Sequence, residues 1–194
     1  MNNFHANEIE KNNPRFKALF QEMVVIYKEM KRLPEPNSEI QYTREWEYPF
    51  AIIKGEIEDG LTVLDLGGGA SPLPLWLARK KCIVEVIDID TDDNRPPNRD
   101  MLWGYHPQYT ETNLTYIKGD FTKYNFEKTY DRIFCIGVLE HLKTQEERDY
   151  VTELIPELLN YNGIAIITWD IPKVFSNEFL NYHSDVEATV IRKV

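Results

Sequence analysis

One stretch constrains the fold of this 194-residue chain more than any other: Val63-Leu64-Asp65-Leu66-Gly67-Gly68-Gly69-Ala70-Ser71. The apolar run from Leu61 to Leu66 has the length and bounding glycine of a buried parallel strand, and three glycines follow it. Ser71 and Pro72 suit the cap and first position of a helix that continues through Leu77. Strand, glycine turn and helix in that order put bare backbone where a ligand can approach without meeting a Cβ. Ligands of open α/β sheets lie beyond the carboxyl ends of the strands, so this turn marks a candidate binding site.

The chain then repeats the alternation. Ile83 to Ile87, Leu114 to Ile117, Arg132 to Ile136 and Ile164 to Thr168 read as further strands, with one more around Ala188 to Ile191. A helix is marked between the strands at Arg132 and Ile164. Thr144 and Glu147 have capping-box spacing, Val151, Leu154, Ile155, Leu158 and Leu159 give an apolar stripe, and Gly163 follows its end. The expected fold class is α/β, a Rossmann-like open, mostly parallel sheet with helices on both faces.

Ahead of the sheet, Asn13 and Pro14 start an amphipathic helix carrying Phe16, Leu19, Phe20, Met23, Val24, Tyr27 and Met30, and Pro34 and Pro36 end it. A second short helix is expected from about Pro49, with Phe50, Ile52 and Ile53. Residues 1–60 thus read as an N-terminal helical extension and candidate lid, and 61–194 as the ligand-binding domain, within one structural domain overall. Thr91 to Asn113 is a long insertion rich in Asp, Asn, Pro and aromatics, either a binding loop or a cover.

A glycine loop alone does not name its ligand. A P-loop needs Gly-Lys-Ser/Thr at its end, which is missing here. A dinucleotide fingerprint counted from Gly67 needs glycine or alanine where Pro72 stands. Asp65, just before the loop, matches a cationic ligand group better than a diphosphate.

With these motifs the chain resembles the class I S-adenosylmethionine-dependent methyltransferases over roughly residues 61 to 169. Asp65-Leu66-Gly67-Gly68-Gly69 looks like that family's acidic-x-Gly-x-Gly loop. The resemblance implies S-adenosyl-L-methionine as cofactor, with the backbone of Gly67, Gly68 and Gly69 lining its methionine end and Asp65 holding the amino group. Asp88, at the end of Val86-Ile87-Asp88, would accept from the ribose hydroxyls, roughly 20 residues beyond the glycines. Ile89 would pack on the adenine, with Asp90 as the alternative ribose partner. Asp120 would accept from the adenine amino group and Phe121 would wall the ring. Ile136 and Gly137, in a stretch from Tyr130 to Leu142 similar to the family's fourth strand and following turn, would flank the sulfonium.

Two departures stand out. Ser71 takes a place where the family often has glycine, and only one further strand is readable after Thr168, so the family's closing hairpin is expected to be shortened.

Because the sulfonium carries its own leaving group, no catalytic triad is required. If a base is used, His141, Asp170 and His106 are the candidates, in that order. Each aspartate could instead end or cap a strand, and His141 could serve a structural hydrogen bond. Asp131 is expected to face solvent. Tyr42, Arg44, Trp46, Glu47 and Tyr48 form a polar-aromatic cluster that either anchors the N-terminal helices or lies over the site, and Trp103, Tyr105 and His106 are candidate acceptor contacts.

Composition bounds the acceptor. With 22 Lys and Arg against 32 Asp and Glu, the net charge is −10, which repels nucleic acid. The Asn/Asp-Pro-Pro-Tyr/Phe motif of amino-directed DNA methyltransferases does not follow the fourth strand, where Cys135-Ile136-Gly137-Val138 stands, and no Pro-Cys pair is present. A small-molecule or glycan acceptor is therefore expected, with no nucleic-acid or membrane partner; the oligomeric state is left open. No apolar run approaches the roughly 20 residues of a membrane span, and a cytoplasmic location follows by default. Cys82 and Cys135 lack metal-ligand spacing and read as buried free thiols, and no metal site is expected. Two rival readings remain: a non-catalytic S-adenosylmethionine-binding or scaffold protein, and a nicotinamide-dependent oxidoreductase, against which Pro72 counts.

Overall fold

The computed structural model describes residues 2–5, 10, 12–31, 44–69, 71–89, 111–171 and 185–194. In chain order the elements are β1 (Asn2–His5), α1 (Pro14–Lys31), α2 (Arg44–Gly55), β2 (Thr62–Leu66), α3 (Leu73–Arg79), β3 (Ile83–Asp88), β4 (Leu114–Lys118) and β5 (Tyr130–Ile136). A 3-10 turn (Leu139–His141), α4 (Gln145–Leu158), β6 (Leu159–Ile171) and β7 (Asp185–Arg192) complete them.

The strands make one sheet in the order β1-β7-β6-β5-β2-β3-β4. From β4 to β6 every pairing is parallel, whereas β7 runs antiparallel to β6. The chain enters the middle of the sheet at β2, works outward through β3 to β4, then returns to the other side of β2 at β5. The strand order therefore reverses between β2 and β5, and the loops leaving these two strands diverge to open a crevice at their carboxyl ends.

The edge of the sheet beside β7 is occupied by a strand that was not expected. β1 pairs antiparallel with β7, Asn2 opposite Val190 and His5 opposite Glu187. The place beside β7 is thus filled by the N-terminus of the chain. Asn-Asn-Phe-His has no apolar alternation of its own, so this edge strand is specified by its partner and not by its propensity.

Side chains alternate across the sheet with the two-residue period of a strand. Val63, Phe134, Ile164 and Ile166 face α1, α2 and α3, in one core with Phe16, Met23, Trp46, Phe50 and Leu77. Leu64, Leu66, Ile133, Cys135, Ala165 and Ile167 face the other way, against Val151 and Ile155 of α4. The N-terminal helices thus share their core with the sheet.

Most helix ends follow the expected chemistry. Asn13 Oδ1 accepts from Arg15 N at 2.8 Å, and Ser71 Oγ accepts from Leu73 N at 3.1 Å. At α4 the capping box is complete: Glu147 N donates to Thr144 Oγ1 at 3.2 Å and Thr144 N donates to Glu147 Oε2 at 3.3 Å. Three local expectations are corrected. α2 starts at Arg44, not near Pro49, which sits inside the helix without a donor N–H. Trp46 holds the earlier turn, stacking on Phe50 at 4.3 Å and donating to Glu10 Oε2 at 2.8 Å. Gly163 does not close α4; β6 begins directly at Leu159 and contains it. Asp131 is not a solvent-facing strand start. It accepts from Thr62 N at 2.8 Å, Thr62 Oγ1 at 2.7 Å and Asn160 Nδ2 at 2.8 Å, pinning three strands together at their amino ends.

Cys82 and Cys135 are both buried and free. Among the described residues no helix is long and apolar enough to cross a membrane.

Candidate functional site at the strand tips

The glycine loop leaves β2 at the crevice. Gly67 takes φ +70°, and its N–H donates to Ile87 O at 2.8 Å, which ties the turn to the tip of β3. A Cβ on Gly68 would sit 2.5 Å from Asp65 Oδ2 and 2.8 Å from Val86 Cγ1, so the loop folds directly over the Asp65 carboxylate. One residue on, the Cβ position of Gly69 lies 3.2 Å from Asp88 Oδ2. Two carboxylates from adjacent strands thus lie under one bare-backbone turn.

Both are buried, Asp65 at 2% and Asp88 at 8% exposure. Asp65 Oδ2 is shielded from solvent and has no hydrogen-bond partner among the described residues. Burial, and then the charge of Asp88, push the Asp65 carboxyl well above the usual carboxylate range, while Arg44 pulls the other way. A buried carboxylate oxygen without a donor, beside a second acid, is chemically matched to a cationic hydrogen-bond donor. An ammonium group entering beside the loop supplies both the missing donor and the missing charge.

Across the crevice, Gly137 ends β5 at φ +62°. Its N–H donates to Thr168 O at 3.0 Å and to Thr168 Oγ1 at 3.1 Å, at the neighbouring strand tip. A Cβ here would also run into the Arg44 guanidinium, so any other residue would have to displace that side chain.

Arg44 comes from the first turn of α2. Residues 44, 47 and 48 share one stripe of that helix while 46 and 50 share another, as three- and four-residue spacing requires. The stripe of Trp46 and Phe50 anchors α2 in the core. The other stripe faces the strand tips: Arg44 pairs with Glu47, Glu47 accepts from Thr168 Oγ1, and Tyr48 is buried near Arg44 and Asp65. Burial raises the Tyr48 phenol to about 12, so it stays a neutral hydroxyl. Of the two readings of this cluster, anchoring in the core is seen directly for Trp46 and Phe50.

The remaining expected residues distribute as follows. Ile89 stands at the tip of β3 with 60% of its surface exposed, and Phe121 is buried among Leu66, Ile87 and Ile133. Asp120 is engaged in its own turn: Oδ1 accepts from Thr122 N at 3.0 Å and Thr122 Oγ1 at 2.6 Å, and Oδ2 pairs with Lys123 Nζ at 2.6 Å. These bonds hold its carboxyl below the usual range. Ile136 is half-buried before Gly137, and His141 is exposed on the 3-10 turn. Asp170 lies on β6 opposite Val186, with its side chain outside the described residues. Asp90, Trp103, Tyr105, His106 and Tyr42 also lie outside them.

Thr168 is the site residue that sequence reasoning missed. It reads as one more residue of an apolar strand, and nothing in its neighbours signals that its hydroxyl joins α2 to β5. Glu140 turns both carboxylate oxygens away from solvent, beside a groove of about 530 Å³ lined by Leu139, Arg148, Ile167, Trp169 and Thr189. Among the described residues no group of three or more His, Cys, Asp or Glu side chains is placed to hold a metal ion.

Comparison with known proteins agrees with this geometry. A family model described as "Methyltransferase domain" matches residues 64–167, from the middle of β2 to β6. Pavine N-methyltransferase of Thalictrum flavum subsp. glaucum is 29% identical over 126 residues, covering 65% of this chain and 34% of the relative. (S)-tetrahydroprotoberberine N-methyltransferase of Eschscholzia californica is 34% identical over 113 residues, covering 56% and 30%. The chain spans about a third of the length of these relatives. Among solved structures, N-methyltransferase NodS from Bradyrhizobium japonicum WM9, in complex with S-adenosyl-L-homocysteine, shares the fold at TM-score 0.60 and 13% identity, covering 87% of this chain and 98% of that one. Coclaurine N-methyltransferase bound to N-methylheliamine and S-adenosylhomocysteine aligns at TM-score 0.53 and 19% identity, covering 85% and 54%. With the family match running through both the glycine loop and the Gly137 turn, the chain belongs to the methyltransferase domain family, the class I S-adenosylmethionine-dependent methyltransferases.

Proposed function

We propose that this chain binds S-adenosyl-L-methionine across the tips of β2, β3 and β5 and methylates a small molecule, in the first instance the nitrogen of an amine. The observation that carries the reading is the buried, unpartnered Asp65 Oδ2 beneath Gly68, with Asp88 beside it. Asp65 would take the ammonium of the methionine tail, Asp88 the ribose hydroxyls, and Ile89 one face of the adenine. Phe121 would back the ring pocket from the core, and Asp120 would reach the adenine amino group as Lys123, exposed at its Nζ, gives way. Arg44 supplies a cation for the tail carboxylate, and Ile136 and Gly137 flank the sulfonium.

The bound cofactor supplies an activated methyl group with its leaving group attached. The chain's own task is to hold the acceptor in line and keep water out, an effect worth up to roughly 7–11 kcal/mol in well-oriented systems. An amine enters the reaction through its lone pair, so any base has only to clear a proton from nitrogen. His141 and Glu140 sit on the turn after Gly137, and Asp170 on β6, within the same strand-tip region. The apolar groove beside Glu140 suits the body of an organic amine, and the relatives are N-methyltransferases. The acidic net charge favours such an acceptor over nucleic acid.

Calorimetric titration tests the reading. S-adenosylhomocysteine should bind and NAD should not, and Asp88→Ala should weaken binding on the order of tenfold or more. Binding of NAD in its place would restore the oxidoreductase reading. Binding without methyl transfer across a panel of amines and sugars would favour a non-catalytic binding protein.

A further inference from the structure

We infer that Glu47 is a positioning residue for the methionine end of the cofactor, acting through Arg44 on one side and through Thr168 and Gly137 on the other. The inference rests on the adenosyl reading above and adds a residue that no strand-tip motif contains. Glu47 is completely buried, an uncommon place for a carboxylate unless its charge and lone pairs are used. Its Oε2 pairs with Arg44 Nη1, and its Oε1 accepts from Thr168 Oγ1. Thr168 Oγ1 in turn accepts from Gly137 N at 3.1 Å. Arg44 closes the circuit by lying against the Gly137 backbone, where no Cβ intervenes.

One carboxylate therefore sets two things at once: where the guanidinium stands and how the Gly137 turn leaves β5. Both concern the amino-acid tail and the sulfonium. Asp88 and Ile89 belong to the nucleoside end in the reading above. α2 itself is fixed from its far end, where the Arg132 guanidinium donates to the carbonyls of Gly55 and Glu56, the latter at 3.1 Å. Glu47 thus stands on a braced helix and can transmit position.

The separation of tail from nucleoside gives the test. S-adenosylhomocysteine carries the amino-acid tail, and 5′-methylthioadenosine is the same thioether nucleoside without it. Calorimetric Kd values for both are measured on the full chain, for wild type, Glu47→Gln and Thr168→Val. Glu47→Gln keeps an acceptor for Thr168 but loses the charge that holds Arg44. It should weaken S-adenosylhomocysteine on the order of tenfold and leave methylthioadenosine within about twofold. Thr168→Val keeps the shape and the backbone bond from Gly137 N to Thr168 O but removes the hydroxyl that links Glu47 to Gly137; it should show the same selectivity, about three- to tenfold. Equal weakening of both nucleosides, or none, in the folded variants overturns the positioning role. If Glu47→Gln does not fold, Thr168→Val decides alone. If wild type binds neither nucleoside, the cofactor reading falls first and this inference with it.

Discussion

The contact between Gly137 and Arg44 gives a stability prediction with an internal reference. Gly60 and Gly137 both have positive φ, +81° and +62°. A Cβ on Gly60 would meet nothing within 4 Å, whereas on Gly137 it would meet three guanidinium atoms. Gly60→Ala should therefore cost only the left-handed backbone penalty, about 1–2 kcal/mol. Gly137→Ala carries a similar penalty and also displaces Arg44. Arg44 can swing toward solvent, but Glu47 cannot follow and is left buried without its cation, a loss with an upper range of about 3–5 kcal/mol. The expected total for Gly137→Ala has an upper range of about 4–7 kcal/mol, at least about 2 kcal/mol beyond Gly60→Ala. At roughly 2–4 °C per kcal/mol for a chain of this size, Tm should fall by about 10 °C. Urea unfolding followed by circular dichroism measures both variants, and an Arg44→Ala background supplies the control. There Gly137→Ala should cost no more than Gly60→Ala. Equal costs in the wild-type background, or an undiminished cost without Arg44, would refute the reasoning.

Two further outcomes follow from the buried groups. The Asp65 carboxyl binds its proton more tightly folded than unfolded, so its contribution to apo stability is present below about pH 4 and lost as pH rises through the raised value. Asp65→Asn mimics the neutral form; its advantage in urea midpoint over wild type should grow above pH 4 and then level off, and a pH-independent difference between pH 4 and 8 would contradict this. Burial pushes the Cys82 thiol up to about 11 and raises Cys135 as well, so neither should react with a disulfide reagent until the protein unfolds. One equivalent reacting within the mixing time of the native protein would show that a thiol is accessible.

The local signals proved readable where chemistry and geometry are both local. Asn13, Ser71 and the Thr144–Glu147 box satisfy helix N–H groups within a few residues, so residue type and spacing suffice to place them. Pro49 misled for the same reason: its missing donor is a local cost, while the Trp46–Phe50 stack and the bond to Glu10 that outweigh it involve partners the pattern does not display.

By itself the sequence determined the parallel α/β alternation, the glycine loop after Asp65 and the acid at the end of β3, because these follow from apolar periodicity and from a turn that glycine favours; the turn at Gly137 came from the family resemblance. Tertiary structure alone decided that Asn2–His5 closes the sheet edge beside β7, and that one stripe of α2 delivers Arg44, Glu47 and Tyr48 to the strand tips. It also decided that the Thr168 hydroxyl joins Glu47 to Gly137. These are contacts between residues far apart in the chain, 121 positions for Glu47 and Thr168 and more for Asn2 and Val190, and a partner at that separation is set by how the sheet assembles, which no local pattern encodes.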